Sequence, residues 1–168
     1  PAELESLLNE RTVLVSIMHA NNETGTVQPV AEIGGLCRDR GIPFHSDTVQ
    51  SVGKIAVDVE AMPIDLLAMS GHKIHGPKGV GACYVRREVR LVAQTAGGGQ
   101  EAGRRSGTEN VAGIVGLGAA CALAHSDIEA NGARMGMVRD HLEEEILRGI
   151  SDTWINGSRL DRLPNLLN

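Results

Sequence analysis

Three short apolar runs, each ended by polar residues, set the strongest constraint on how this chain folds. The first, Thr12–Met18 (TVLVSIM), is a nearly continuous run of strand-forming residues, and a helical pattern at Val30–Arg40 follows it. Gly41 stands where that helix stops, and a second short strand is predicted at Pro43–Ser46. Strand, helix and strand in this order predict a βαβ unit with parallel strands and a right-handed crossover.

The rest of the chain extends this pattern to an α/β fold, a mostly parallel sheet flanked by helices. A third buried strand is predicted at Asp65–Ser70. A fourth is predicted at Val80–Arg86, and the tight Gly/Pro loop before it favours an antiparallel neighbour. The other predicted elements are helices at residues 2–9, Asn110–Ala124 and Asp127–Gly149, a glycine-rich loop at 96–108 and a strand at Trp154–Asn156. The acidic run Glu143–Glu145 is predicted to face solvent.

Charge and hydropathy exclude several classes of function. The net charge is -5, and the 16 Lys and Arg residues are scattered along the chain rather than gathered into a run, so the chain is not expected to bind nucleic acid. No run approaches the length of a membrane span and no signal peptide is recognisable, which predicts a cytoplasmic protein without a membrane contact. Cys37, Cys83 and Cys121 are too far apart for a disulfide framework or a zinc site, so no metal is expected and packing is the predicted role of all three.

Polar residues follow three of the predicted parallel strands, where an open α/β sheet presents its ligand crevice. Each has a simpler structural interpretation: Asp47 caps a turn, the Asn21–Asn22 pair shapes one, and His72 bonds to backbone. Lys54 and Lys78 are interpreted as surface lysines. Lys73 is the exception, because it lies between a buried strand and a rigid Gly-Pro turn. The candidate residues are Asn21, Asn22, Asp47, Gln50, Ser70, His72 and Lys73.

Together these groups suit one kind of chemistry. A confined lysine amine forms an imine with a carbonyl compound. Pyridoxal 5'-phosphate needs such a lysine, a carboxylate for its ring nitrogen, a donor for its ring hydroxyl and hydroxyl or backbone N–H groups for its phosphate. Those needs are met in turn by Lys73, by Asp47, by Gln50, and by the group Ser70, His72 and Thr108.

Four segments carry a family resemblance: MHANNETGTVQP (18–29), FHSDTVQSVGK (44–54), SGHKIHGPKGVGACYVRR (70–87) and GGGQEAGRRSGTEN (97–110). They resemble the cysteine desulfurases, in the class V aminotransferase branch of the fold-type I pyridoxal-phosphate enzymes. The resemblance implies that residues 1–168 are the central part of the large cofactor-binding domain, without the family's N-terminal segment and C-terminal small domain.

The resemblance also implies a role for each matched residue. Lys73 forms the internal Schiff base and moves protons on the substrate. Asp47 pairs with the pyridine nitrogen, Gln50 hydrogen-bonds the ring oxygen, and Asn22 contacts cofactor and substrate. The remaining matched residues bind phosphate. Ser70 and His72 bind the phosphate of their own subunit, and Thr108 reaches the phosphate bound by the neighbouring subunit.

The last of these roles implies a homodimer. The family takes sulfur from L-cysteine, leaves L-alanine and an enzyme persulfide, and passes the sulfur to iron-sulfur scaffolds or other acceptor proteins. The 168 residues lack a match to the family's stacking histidine, nucleophilic cysteine and substrate-binding arginine, so they are expected to be inactive alone. Ser46 and Thr48 also depart from the smaller or more apolar neighbours expected for Asp47.

Two alternatives remain open from the sequence. One is another class V enzyme, a selenocysteine lyase or an aminotransferase, which shares the Asp, Gln and Lys apparatus. The other is a non-catalytic module that serves for dimerisation or for docking to a scaffold.

Overall fold

A computed structural model describes all residues, 1–168. Four strands form one sheet: β1 (Val15–Met18), β2 (Phe44–Asp47), β3 (Leu66–Ser70) and β4 (Gly81–Val85). The α-helices are α1 (Ala2–Leu7), α2 (Val30–Asp39), α3 (Val111–Ser126) and α4 (Ile128–Gly149), and short 3₁₀ helices occur at Gly71–Ile74 and Glu101–Gly103.

The sheet has the order β1-β2-β3-β4. The first three strands are parallel and β4 is antiparallel to β3, as the sequence predicted. Met18 lies beside Asp47 on the neighbouring strand, and Asp47 lies beside Ala68. The carboxyl ends of β1, β2 and β3 therefore share one edge of the sheet.

Helix α2 buries one face against the sheet. Its buried residues Val30, Ile33 and Cys37 recur at helical spacing and join a cluster with Val15, Phe44, Ile64 and Leu67. Gly34 permits the close approach of a neighbouring loop, because a Cβ at that position would lie 2.5 Å from the Met62 carbonyl oxygen. This packing fixes the βαβ unit and with it the positions of the strand ends.

Helix α3 packs against the 3₁₀ turn that follows β3. The buried residues there are Ile74, Leu117 and Ala120. Gly116 allows the turn to come close, since a Cβ there would lie 2.6 Å from Cγ of Pro77. Helix α3 is therefore closely packed on one side, whereas its other side is exposed, as with Val111 and Val115.

Three sequence predictions are wrong in detail. Residues 154–156 form no strand; instead the segment is irregular. Glu143 is buried, because Arg162 and Arg159 pair with its carboxylate, although Glu144 and Glu145 are exposed as expected. Cys83 lies on β4 but is exposed, so packing does not explain it; Cys37 is buried and Cys121 partly buried.

No single helix is both long and apolar enough to cross a membrane, and α3 and α4 meet that criterion only as a pair bent by 71°.

Candidate active site

The three parallel strands bring their polar carboxyl-terminal residues to one edge of the sheet. Asp47 is the last residue of the central strand β2, with Met18 of β1 on one side and Ala68 of β3 on the other. The 3₁₀ turn with His72 and Lys73 begins directly after β3. The sequence-predicted groups of β1, β2 and β3 thus leave the sheet at the same end.

Asp47 is held by hydrogen bonds on both sides of its strand. Its Oδ1 accepts the Val49 N–H at 2.9 Å, which is the turn cap that the simpler interpretation predicted. The flanking hydroxyls tie β2 to its neighbours: Ser46 Oγ donates to the Ile17 carbonyl at 3.0 Å and Thr48 Oγ1 to the Ala68 carbonyl at 2.9 Å. Ser46 and Thr48, which depart from the family pattern, therefore crosslink the strands that position the carboxylate.

Gln50 lies in the turn that continues from Asp47. Backbone hydrogen bonds from Ser51 and Val52 to the Thr48 carbonyl close this turn at 2.9 and 3.0 Å. Gln50 is half-buried. The carboxylate of Asp47 and the amide of Gln50 therefore belong to one hydrogen-bonded turn.

The turn Gly71–Ile74 carries the lysine. Ser70 Oγ and Nδ1 of His72 share a hydrogen bond of 2.7 Å at its start, which pairs the two residues assigned to phosphate. His75 ends the turn in a left-handed conformation with φ of 62°, and the Gly76 N–H donates to the Gly71 carbonyl at 2.9 Å. Lys73 is half-buried.

A cavity of about 370 Å³ lies between this turn and the junction of α3 and α4. Lys73 and Lys54 both line it, together with Asp127, Asn131 and Arg134. Burial lowers the pKa of Lys54, and the charge of Lys73 lowers it further. Lys54 is half-buried beside this cavity, so the interpretation of Lys54 as an ordinary surface lysine is wrong.

The loop after β1 contains the two asparagines. Asn21 Oδ1 accepts the N–H groups of Glu23 and Thr24, both at 2.9 Å, so this side chain shapes the turn. Asn22 is exposed beside it. The loop is held from outside, since the Leu163 N–H donates to the Gly25 carbonyl at 2.8 Å.

Thr108 is not brought to the strand ends by an element of the sheet. It is exposed on the long loop that precedes α3. The contacts of that loop are largely internal; Ser106 Oγ, for example, donates to the carbonyls of Thr95 and Gly98 at 3.0 Å. The loop thus presents Thr108 outward.

Sequence reasoning missed two residues near this edge. His19 follows β1, is 2% exposed, and its backbone N–H donates to the Asp47 carbonyl at 2.8 Å. Its Nδ1 has no hydrogen-bond partner, and burial lowers the pKa of its imidazole. Its place directly after an apolar strand was a usable signal for His19. Lys54 gave no such signal, because its partner Lys73 is distant in sequence.

Known proteins match the chain over its whole length. The family model for class V aminotransferases matches residues 1–168. The cysteine desulfurase IscS of Anaeromyxobacter dehalogenans is 52% identical over 170 residues, and a cysteine desulfurase of a Nostoc species is 53% identical over 166. The two matches cover 100% and 99% of this chain, respectively. The chain, however, spans only 42% of the length of each relative.

Solved structures of the same kind share the fold. A NifS-like protein superposes with a TM-score of 0.93 and 40% identity, covering 99% of this chain and 46% of its own. The NifS-like protein from Rickettsia africae gives a TM-score of 0.89 and 38% identity, covering 96% and 45%. The α/β sheet predicted from the sequence is thus that of the fold-type I enzymes, and the family resemblance is confirmed.

Proposed function

Because the chain belongs to the class V aminotransferase family, we propose that residues 1–168 form the central part of the large, cofactor-binding domain of a cysteine desulfurase. The observation that carries the proposal is the convergence of Asp47, Lys73 and the bonded pair Ser70 and His72 on one edge of the sheet. The relatives described above are named cysteine desulfurases. Their names support sulfur transfer over the selenocysteine lyase and aminotransferase alternatives.

The donor set at this edge fits pyridoxal 5'-phosphate, the cofactor of this family. A carboxylate ends β2 and a hydroxyl ends β3, and an imidazole paired with that hydroxyl and an amine follow in the single turn after β3. The carboxylate matches a pyridinium, the hydroxyl and the imidazole match a phosphate, and the amine matches an aldehyde. When bound, the cofactor withdraws electrons from the substrate α-carbon.

In this proposal, each candidate residue has a separate role in binding the cofactor or the substrate. The Asp47 carboxylate supplies a fixed negative charge, since its strand is hydrogen-bonded on both sides. Lys73 supplies the amine that binds the aldehyde and later holds a proton at its Nζ. Ser70 Oγ and His72 offer donors to phosphate oxygens, and Gln50 and Asn22 offer amides to the ring oxygen and the substrate.

The substrate and the partners follow from the same assignment. We propose L-cysteine as the substrate and an iron-sulfur scaffold or another sulfur-acceptor protein as the recipient. The proposal includes a homodimer, in which Thr108 reaches the phosphate bound by the neighbouring subunit. The outward position of the Thr108 loop supports that role. A cytoplasmic location is part of the same proposal.

Covalent capture of the cofactor tests the role of Lys73. The protein is mixed with pyridoxal 5'-phosphate, its absorbance is recorded, and the adduct is reduced with borohydride and located by peptide mass spectrometry. We expect a band near the visible edge and a label on Lys73, both lost in Lys73→Ala. Lys78→Ala is the control, because Lys78 is exposed in the following loop. Equal bands in the wild type and Lys73→Ala would contradict the assignment.

The choice of substrate is tested on the same adduct. Addition of L-cysteine is expected to shift the absorbance band, because its amine displaces Lys73 from the aldehyde. L-alanine and L-serine carry the same amine without the thiol, and they are expected to shift the band only at higher concentrations. A band that responds to another amino acid but not to L-cysteine would be inconsistent with a desulfurase.

A further inference from the structure

The turn that begins at Asp47 ends beside the turn that carries Lys73. The Lys54 N–H donates to the Ser51 carbonyl at 2.9 Å, which closes the end of the first turn. From there the Lys54 Nζ donates to the Lys73 carbonyl oxygen at 3.0 Å. One side chain therefore joins the segment of the carboxylate to the segment of the reactive lysine.

The two turns also touch through apolar atoms. Gly53 has φ of +74°, and a Cβ at this position would lie 2.7 Å from Cγ2 of Ile74. Only glycine adopts this conformation readily and also leaves room for Ile74. The two turns are thus joined by two adjacent contacts: the hydrogen bond from Lys54 to the Lys73 carbonyl, and the close approach of Gly53 to Ile74.

The location of Lys54 is unusual for a lysine with no acidic partner. It is half-buried and lines the same cavity as Lys73. Burial and, secondarily, the positive charge of Lys73 lower the pKa of Lys54. The only hydrogen bond of the Lys54 amine is to the Lys73 carbonyl. This bond suggests that Lys54 acts on the turn that carries Lys73.

We propose that Lys54 is a positioning residue for Lys73: by binding the Lys73 carbonyl it holds the 3₁₀ turn against the turn that begins at Asp47, and so fixes the point from which the Lys73 side chain extends. The role matters because a four-residue 3₁₀ helix has poor hydrogen-bond geometry and depends on outside contacts for its orientation. This inference rests on the proposed function, in which Lys73 binds an aldehyde.

Two measurements without the cofactor test the role of Lys54. The first is hydrogen exchange at the Gly76 amide, whose bond to the Gly71 carbonyl closes the lysine turn. The second is the rate of reductive methylation of Lys73, read by peptide mass. Lys54→Met keeps the aliphatic stem and removes the donor, Lys54→Arg restores a donor, and Lys78→Met is the matched control. Circular dichroism monitors folding, and Lys54→Gln replaces Lys54→Met if that variant does not fold.

In Lys54→Met we expect faster exchange at Gly76 by about tenfold, the ratio that one hydrogen bond from a charged group supplies. The methylation rate of Lys73 is expected to change as well, while Lys54→Arg and Lys78→Met resemble the wild type. Exchange and methylation in Lys54→Met equal to those in Lys78→Met would overturn the inference.

The pyridoxal phosphate titration separates this inference from the proposed function. We expect Lys54→Met to bind the cofactor about tenfold more weakly than the wild type, for the same loss of one hydrogen bond. If the wild type captures no cofactor but its Gly76 exchange still depends on Lys54, the proposed function fails and the positioning role is supported. If Lys54→Met captures the cofactor as tightly as Lys78→Met, the positioning role fails and the proposed function is unaffected.

Discussion

The region around α2 and the region around α3 and α4 are stabilised by different contacts. Around α2, seven buried apolar residues form one cluster, in which Phe44 and Ile64 have no exposed surface. Around α3 the buried apolar cluster has three members, Ile74, Leu117 and Ala120, although α3 is the more apolar helix. Apolar composition alone therefore does not build a core; the spacing of the residues and a partner surface are also needed.

The two regions therefore contribute differently: the α2 region mainly to the stability of the fold, and the α3 and α4 region mainly to the geometry of the candidate site. The α2 cluster holds the strands whose ends form the site, whereas the Lys73 turn is held by close contacts of glycines and by single polar bonds such as that of Lys54. We expect substitutions in the α2 region to cost the most stability. Substitutions in the other region should cost less.

The largest effect is expected for Phe44→Ala, which removes a side chain with no exposed surface from the α2 cluster. The loss of transfer free energy and the cavity left behind should lower the free energy of unfolding by about 3–5 kcal/mol. Urea unfolding followed by circular dichroism measures it. The control is Val115→Ala, because Val115 of α3 is 66% exposed and its truncation should stay within about 0.5 kcal/mol. Similar losses for both variants would remove the distinction between the regions.

The α4 helix extends the comparison, because its one buried residue is charged. Glu143 pairs with Arg162 at 2.6 Å, and the side chains are 4% and 7% exposed. Glu143→Gln should lower the free energy of unfolding by about 3 kcal/mol, since it leaves a buried arginine without its counter-charge. Glu145→Gln, on the exposed surface of the same helix, is the control, and its change should be within about 0.5 kcal/mol.

The pH dependence gives this variant a second measurement. Burial acts against ionisation of Glu143, but hydrogen bonds and charges from Arg162 and Arg159 outweigh it and lower the pKa below the ordinary 4.5. A lowered carboxyl pKa contributes stability that is fully present above 4.5 and is lost as the pH falls through the folded-state pKa. The difference between wild type and Glu143→Gln should be constant near neutral pH and shrink in acid. If the difference in free energy of unfolding between the two proteins stays the same down to the pH at which they unfold, the ion pair is contradicted.

The smallest effects are expected for two glycine substitutions, one in each region. Gly53→Ala forces a Cβ against Ile74 at a left-handed residue and should destabilise the protein by about 1–2 kcal/mol. Gly35→Ala in α2 meets no atom within 4 Å and should stabilise it by about 0.5–1 kcal/mol. Thermal unfolding of the pair measures both. Stabilisation by Gly53→Ala would show that the two turns are not in close contact.

Much of the fold was predictable because its signals are local. The helix at Val30–Asp39, the parallel pairing of β1 with β2 and the antiparallel β4 follow from residue spacing and loop length. The strand expected at 154–156 is absent, since a short apolar run forms a strand only where another strand is free to pair with it. The acidic run at 143–145 predicted that Glu143 faces solvent. That prediction was wrong because Arg162, 19 residues further along the chain, folds back to pair with Glu143.

The site was predictable to the same extent. Asp47 and the residues from Ser70 to Lys73 follow apolar strands, so their arrival at one edge is a consequence of parallel pairing. The positions of Lys54 and His19 beside the candidate residues were not predicted. The interaction of Lys54 with the Lys73 carbonyl depends on how two turns pack, which no periodicity encodes.

Local residue patterns are enough to predict the α/β class, the succession of strands and the polar groups at the strand ends, because each depends on neighbours a few residues away. Folding brings together groups that are distant in the chain: Lys54 with Lys73, Glu143 with Arg162, and the loop of Asn22 with the segment at Leu163. Hydrogen bonds and ion pairs act over a few ångströms, so these contacts depend on the packing of whole elements and no local pattern encodes them.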